Sequence, residues 1–261
     1  MRVGMVFGRV GRVSGRVLAA GVLCALAGGA GAEVVTIGAS RNNTLVQDPL
    51  GAVGSGGAQA IFAGVTAQGG GVDKRRALIG FDIAAAVPAG ATITSVSLSL
   101  TCDRAANSSA STFELHRVLS EWGAGTSNLG NQGAMGAPAV NGDATWTSRF
   151  FGTGMNWANP GGDFAAAASA SRNQANIGVY TWTSTALLVS DVQGWLNNPR
   201  SNFGWLIKNN ESGSRNARRF NGLDWPEASQ RPSLVIQYTV PGPGVVALVG
   251  FGGLVAARRR R

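Results

Sequence analysis

The feature that most constrains the fold is a strictly alternating run at residues 92–102. Serines and a threonine separate its apolar members, which are Val96, Leu98, Leu100 and Cys102. A period of two is typical of a β-strand with one buried face and one exposed face. Residues 77–83 also carry an apolar residue at every second position, and Pro88 and Gly90 interrupt the link between the two runs. We therefore predict two strands joined by a short loop.

Shorter stretches of the same kind predict further strands along the chain, at 60–63, 112–118, 178–183, 203–208 and 234–240. One segment changes to a helical period, with apolar residues at Leu188, Val192, Trp195 and Leu196. Ser184 or Thr185 can cap this helix, and Asn197-Asn198-Pro199 ends it. Short strands with turns between them and one short helix predict an all-β fold, an antiparallel β-sandwich of jelly-roll type.

Three segments show no clear period. Residues 123–171 are rich in Gly, Asn, Ala and Ser, with unevenly spaced aromatic residues. We predict that this segment is ordered but loop-rich, with Thr145-Trp146 packed into the core. Residues 103–111 and 211–230 are predicted to be polar loops, and the second of these is rich in arginine.

The formal charge of +9 comes from the two ends of the chain. Four of the 22 basic residues lie within the first 16 residues and four more are Arg258, Arg259, Arg260 and Arg261. The middle of the chain therefore holds 14 basic residues against 13 acidic ones, all between Glu33 and Glu227. This near balance argues against nucleic acid as a partner, since it leaves no excess of charge for a phosphate backbone.

Both ends are predicted to be targeting segments. Residues 1–32 have a basic start, an apolar run at 17–27 and small residues before the expected cleavage between Ala32 and Glu33, as in a secretory signal peptide. The mature domain is then 33–240. At 241–261 a Pro/Gly motif precedes an apolar stretch and four arginines. This tail resembles a PEP-CTERM sorting signal, with Pro241-Gly242-Pro243 where that family has Pro-Glu-Pro.

The resemblance of the tail implies a C-terminal sorting protease as a partner and delivery to the cell surface or extracellular matrix. The apolar stretch has 13 residues, and a bilayer-spanning helix needs about 20. We therefore expect a transient membrane contact through this helix instead of a permanent anchor.

A series of motifs between residues 34 and 240 resembles the DNRLRE domain, also classed as carbohydrate-binding module family 96. The series starts with the basic pair Arg75-Arg76, the Phe81-Asp82 strand end and the alternating run, and it continues with stretches at 121–122, 145–146, 191–196, 204–208 and 231–236. The resemblance implies the same sandwich fold and a function in binding polysaccharide.

Candidate catalytic groups are few, so we predict that the chain is not an enzyme. His116 is the single histidine and is interpreted as a solvated residue on a sheet face. Cys102 is the single cysteine of the predicted mature chain and lies on an apolar face, which is typical of a buried thiol. A lyase or hydrolase that uses paired carboxylates stays open, because such pairs meet only in space. No cofactor is expected except a structural calcium ion, with Asn42, Asn43, Asp48 and Asp103 as candidate oxygen ligands.

The candidate ligand-binding residues are aromatic and arginine side chains in polar segments. Sugar rings stack on exposed aromatic faces, and arginine pairs with carboxylates. These criteria select Trp157, Arg215, Arg218, Arg219 and Trp225, although a tryptophan packed under its own loop and a solvated arginine run are the simpler interpretations. We expect an exported, non-catalytic module that binds polysaccharide, and an acidic polysaccharide would suit the arginines. The alternative is a structural or adhesive envelope protein without glycan affinity.

Overall fold

A computed structural model of the chain describes residues 31–242, apart from Ser214 and the side chains of residues 131–133. The predicted leader up to residue 30 and the tail from Pro243, including its four arginines, lie outside the described residues.

The described residues form fifteen strands and two α-helices. The strands are β1 (Ala32–Gly38), β2 (Arg41–Val46), β3 (Val53–Gly54), β4 (Ala60–Val65), β5 (Lys74–Gly80), β6 (Thr92–Ala105), β7 (Ser111–Arg117), β8 (Ala137–Pro138), β9 (Ser148–Phe150), β10 (Met155–Asn156), β11 (Ala170–Gln174), β12 (Gly178–Trp182), β13 (Trp205–Lys208), β14 (Arg218–Asn221) and β15 (Ser233–Thr239). The helices are α1 (Ile83–Ala86) and α2 (Ala186–Asn197). Short 3₁₀ turns occur at Gly130–Met135, Pro199–Ser201 and Ala228–Gln230.

One sheet is organised around β6, the strand that the alternating run predicted. Leu98 pairs with Leu234 of β15 and with Trp182 of β12, so these two strands lie along opposite edges of β6. The end of β6 near Cys102 pairs with β14, and β1 pairs along the outer edge of β15. All of these pairings are antiparallel.

The second sheet is organised around β5, which pairs with β2 and β13, and it continues from β13 through β7 to β11. Strand β4 joins the two sheets, because its first four residues pair with β14 and its last two pair with β5. The change occurs at Gly64, where φ is 105° and a Cβ atom would lie 2.9 Å from Cα of Ala217, so the corner requires glycine. The curled antiparallel sheet confirms the predicted β-sandwich of jelly-roll type.

The main core lies between the two sheets, and α2 closes one side of it. The four apolar residues that predicted α2 are all buried, and Thr185 caps the helix by accepting a hydrogen bond from the Leu188 N–H at 3.0 Å. Trp195 of α2 meets Trp205 of β13 edge to face, with ring centroids 4.6 Å apart. Among the described residues α2 is the one helix of seven or more residues, as predicted.

The outer face of the second sheet is covered by residues 119–169, which we call the outer layer. Leu78 and Leu206 alternate along their strands with core residues, so they face away from the main core. They pack instead in a second apolar cluster with three tryptophans of the outer layer, Trp122, Trp146 and Trp157. The prediction that this segment is ordered and buries Thr145-Trp146 is confirmed, but it forms a core of its own.

Two local predictions are wrong. The loop predicted at 211–230 contains β14, and β6 continues past Cys102 to Ala105, into the loop predicted at 103–111. In both cases the deciding partner is a strand that is distant in sequence and that the local pattern does not show. Asp82, which follows β5, caps α1 by accepting the Ala85 N–H.

Candidate functional site

Trp157 is packed inside the outer layer. Its side chain is 5% exposed, and its indole N–H donates to the Thr145 carbonyl at 2.9 Å. A sugar cannot stack on a ring that is already covered on both faces by protein. The selection of Trp157 as a ligand-binding residue is therefore corrected, and the simpler interpretation of a tryptophan packed under its own loop applies.

Arg218 is also buried, with no exposed surface. Its guanidinium donates to the carbonyl oxygens of Ser109 at 2.8 Å and Ala175 at 2.7 Å, and it lies 5.9 Å from the Phe113 ring centroid. Burial lowers the pKa of this guanidinium below its ordinary value. Arg218 thus holds two loops together, and its selection as a residue that contacts a surface ligand is corrected.

Arg219 and Trp225 lie together on the outside of the first sheet. The Arg219 Nε–H donates to Asp103 Oδ1 at 2.7 Å, and the guanidinium lies 5.7 Å from the centroid of the Trp225 ring. Trp225 is half-buried, and its indole N–H donates to Gln230 Oε1 at 3.1 Å. These contacts leave part of the Trp225 ring exposed and fix its orientation.

Arg215 and Arg219 line the same cavity, which has a volume of about 330 Å³. Its apolar wall consists mainly of Phe62, Ala105, Ala106 and Ala217. Two further arginines line it, exposed Arg104 on the rim and buried Arg218. We call it the arginine-rimmed cavity. Of the five residues selected from sequence, the structure therefore brings together Arg215, Arg219, the buried Arg218 and, through its contact with Arg219, Trp225.

The charges around the arginine-rimmed cavity are not balanced. Arg219 is paired with Asp103, whereas Arg104 and Arg215 are exposed and form no ion pair with any acid in the described part of the chain. Arg215 also has a φ of 55°, which is uncommon for a residue with a side chain and is found mostly at functional or tightly constrained positions. The cavity can therefore accept an anionic group beside an apolar one.

Sequence reasoning missed Arg104 because residues 103–111 were interpreted as a loop. The alternation offered no signal for it, because Asp103 and Arg104 are both polar and the pairing of β6 with β14 shifts register at this point. The pairing of β6 with β14 in this region brings Arg104 opposite Arg219.

The two residues considered for nucleophilic or acid-base chemistry are buried. His116 is 5% exposed, with Nδ1 2.9 Å from the Ala165 carbonyl oxygen and Nε2 3.3 Å from Glu114 Oε2, so its interpretation as a solvated residue is wrong. The outer layer covers it through Phe164, whose ring centroid is 5.1 Å away. Burial raises the pKa of the Cys102 thiol to about 11, which keeps it protonated at neutral pH.

The oxygen ligands suggested for calcium are already engaged with protein groups. Asn42 Oδ1 accepts the Leu223 N–H, Asn43 Oδ1 accepts the Thr44 N–H, Asp48 accepts two backbone N–H groups and Asp103 binds Arg219. Residues 31–242, as far as they are described, contain no group of three or more His, Cys, Asp or Glu side chains placed to hold a metal ion.

The predicted processing sites lie at the ends of the described chain. Ala32 and Glu33 are the first residues of β1 and pair with Thr239 and Tyr238 of β15. Pro241 and Gly242 follow β15, while Pro243 and the arginines at 258–261 lie outside the described residues. Within the described range, no helix has both the length and the apolar character needed to cross a membrane.

A scan against protein-family models matched none, and a search of curated proteins found no match.

Proposed function

We propose that this chain is an exported, non-catalytic polysaccharide-binding module that is sorted to the cell surface or extracellular matrix through its C-terminal signal. The observation that carries the binding proposal is the arginine-rimmed cavity, with Arg104 and Arg215 exposed beside an apolar wall. The export and sorting proposals are supported by the patterns at residues 1–32 and 241–261.

The chemistry of the cavity favours an acidic polysaccharide. Guanidinium groups are planar and bind carboxylates in a bidentate geometry. The ammonium group of lysine cannot reproduce this geometry, so lysine is a poor substitute for arginine. The partly exposed ring of Trp225 does not line the cavity itself but lies against Arg219, which does, and from there it can cover the apolar face of a sugar. A uronate residue combines both properties, since it carries a carboxylate on a ring with an apolar face.

Binding to immobilised polygalacturonate and to immobilised dextran tests this proposal. We expect the purified protein to bind the uronate polymer and not the neutral one, with weaker binding at high salt because the site is exposed. The double variant Arg104→Ala/Arg215→Ala should lower the affinity at least tenfold, whereas Arg200→Ala, an exposed arginine in the turn at Pro199–Ser201, should change it less than twofold. Unchanged binding by the double variant would overturn the proposal.

A structural or adhesive role is the second candidate, and one observation favours it. β12 is paired along one edge with β6, and two large apolar residues near it are exposed, Ile177 at 65% and Val179 at 68%. Exposed apolar strand edges promote pairing between molecules. If the protein binds no polysaccharide but self-associates in sedimentation experiments, and Val179→Lys abolishes the association, this second role is selected.

A further inference from the structure

A second cavity lies beside the arginine-rimmed cavity and has a different chemical character. Its volume is about 520 Å³, and amide and hydroxyl side chains line most of it. They include Asn107, Asn173, Asn210, Ser111 and Thr112, together with the carboxylate of Glu114. We call it the amide-lined cavity.

The two cavities lie on either side of the same two segments of chain. Ala105 and Ala106 line the arginine-rimmed cavity, and the next residue, Asn107, lines the amide-lined one. Arg215 and Ala217 line the first cavity, and Asn216, between them, lines the second. Successive Cα atoms are about 3.8 Å apart, so only one thin wall separates the two cavities.

Buried Arg218 holds this wall in place. Its guanidinium contacts Asn107 Oδ1 at 3.4 and 3.5 Å and donates to the Asn216 carbonyl at 3.1 Å, and these residues come from the two segments that form the wall. Both segments are therefore tied to one rigid side chain, and the relative position of the two cavities is set by the fold.

The lining groups select different sugars. Side-chain amides and hydroxyls both donate and accept hydrogen bonds, which matches the hydroxyl and acetamido groups of an uncharged sugar. Among the described residues no arginine or lysine lines the amide-lined cavity, and the Glu114 carboxylate disfavours a second carboxylate there. The arginine-rimmed cavity has the opposite preference, because Arg104 and Arg215 attract an anion.

We infer that the two cavities form one extended site for an acidic heteropolysaccharide, in which a uronate occupies the arginine-rimmed cavity and a neighbouring uncharged sugar occupies the amide-lined cavity. This inference rests on the proposed function and narrows the ligand to chains that alternate charged and uncharged sugars. A polymer made only of uronates places a carboxylate against Glu114 and is bound less tightly.

Calorimetric titration with two defined tetrasaccharides tests the inference. One is the hyaluronan tetrasaccharide, which alternates glucuronate with N-acetylglucosamine, and the other is tetragalacturonate. We expect the protein to bind the alternating ligand at least tenfold more tightly than the uronate ligand at equal ionic strength. The variant Asn173→Ala/Asn210→Ala should remove this preference and leave tetragalacturonate binding within twofold. Exposed Asn141 of the outer layer provides the matched control Asn141→Ala, which should change neither affinity.

The outcomes separate the inference from the proposed function. Arg104→Ala/Arg215→Ala could weaken the binding of both ligands while Asn173→Ala/Asn210→Ala changes the affinity for neither. In that case the extended site is overturned and the uronate-binding proposal stands. Equal affinity of the unaltered protein for the two tetrasaccharides also overturns the extended site. If neither ligand nor the two polymers bind, the proposed function itself fails. Thermal unfolding of each variant shows that altered binding does not come from a lost fold.

Discussion

At the scale of single residues, buried charges determine the geometry of the candidate site. Arg218 has no carboxylate partner among the described residues, and its positive charge is met by backbone carbonyl oxygens. These carbonyls and the Asn107 side chain satisfy the Nη groups, whereas the Arg218 Nε–H has no hydrogen-bond partner among the described residues. A buried cation is tolerated when most of its donors are satisfied in this way. The carbonyls come from the segments around residues 109, 175 and 216, so one side chain orders the end of the sandwich where both cavities lie.

We expect Arg218→Ala to destabilise the protein by about 3 kcal/mol, because several buried carbonyl groups lose a charged donor. Urea denaturation of the two proteins measures this difference. Arg200→Ala removes an exposed arginine and should stay within about 0.5 kcal/mol. A loss below about 1 kcal/mol for Arg218→Ala would show that the carbonyls find other partners.

Glu211 forms the other important buried charge contact. It accepts two hydrogen bonds from Arg76, at 2.6 and 2.8 Å, and its side chain is 9% exposed. Burial by itself raises the pKa of this carboxyl, but the bonds to Arg76 and the nearby lysines outweigh it, and the pKa lies below its ordinary value. Arg76 also lies over the Trp146 ring, with the guanidinium 4.8 Å from the ring centroid, so the pair connects β5 to the outer layer.

A carboxyl with a lowered folded-state pKa stabilises the protein above its unfolded pKa, and this contribution is lost as the pH falls through the folded pKa. We therefore expect Glu211→Gln to cost about 2 kcal/mol at pH 7 and progressively less as the pH falls below the ordinary glutamate pKa of about 4.3 and through the lowered pKa of folded Glu211. Denaturation at a series of pH values measures the difference. Exposed Glu227→Gln is the control, and a cost independent of pH would contradict the assignment.

At the scale of secondary-structure elements, α2 shows how far local pattern determines structure. Its buried stripe, its cap and its end all follow from the order of residues between Thr185 and Pro199. Strand β14 shows the opposite case. Only Phe220 among the four residues of β14 is apolar. The segment forms a strand because β4 and β6 pair with it on its two sides.

Replacing the cap residue of α2 tests the local contribution. Thr185→Ala should lower the free energy of unfolding by about 1 to 2 kcal/mol, since the Thr185 hydroxyl accepts the Leu188 N–H and also donates to the Ser169 carbonyl. Thr183→Ala, at an exposed position two residues earlier, is the matched control and should have little effect. Equal losses for the two variants in thermal unfolding would rule out capping as the cause.

At the scale of the whole described molecule, the outer layer is a third layer built almost without regular structure. Asp143 organises much of it, because this fully buried carboxylate accepts the N–H groups of Thr126 and Val140, each at 2.8 Å. Gly54 and Gly125 fit closely around the carboxylate, where a Cβ atom would lie within 2.4 Å of its oxygens. A loop-rich segment is stable here because its polar backbone groups have partners.

We expect chymotrypsin to leave residues 119–169 uncut in the native protein, although the segment contains several aromatic residues. Asp143→Ala removes the central acceptor and should allow cleavage at aromatic residues between 146 and 157, while exposed Asp224→Ala should not. Mass spectrometry of the fragments locates the cuts. Rapid cleavage of the unaltered protein in this segment would contradict the three-layer description.

The arrangement of the strands also places the candidate site far from Ala32, where β1 begins, and from Thr239, where β15 ends. Thr92, at the start of β6, pairs with Thr239, and Thr239 pairs with Ala32, whereas Arg104 lies near the other end of β6. Twelve residues of strand span roughly 40 Å at about 3.3 Å per residue. The described domain therefore has both cavities at the end opposite to Ala32 and Thr239.

The sequence alone determined the all-β character of the domain, the strand at residues 92–102 and the α2 helix. Apolar residues recur at every second position in the strands and about every 3.6 residues in the helix. This spacing indicates which face of an element is buried. The course of β6 past Cys102 and the existence of β14 were not predictable, because antiparallel partners distant in the chain decide them.

Tertiary structure also decided which polar side chains reach the surface. Trp157 and Arg218 stand in polar sequence yet are buried, while Arg104 was overlooked and lies on the rim of the cavity. Local composition cannot distinguish these cases, since burial of a polar residue depends on whether carbonyl groups from other segments arrive to satisfy it. The sequence therefore indicated the residue types of the candidate site, arginine and tryptophan. Only the packing of strands that are distant in the chain determined which of these side chains can contact a ligand.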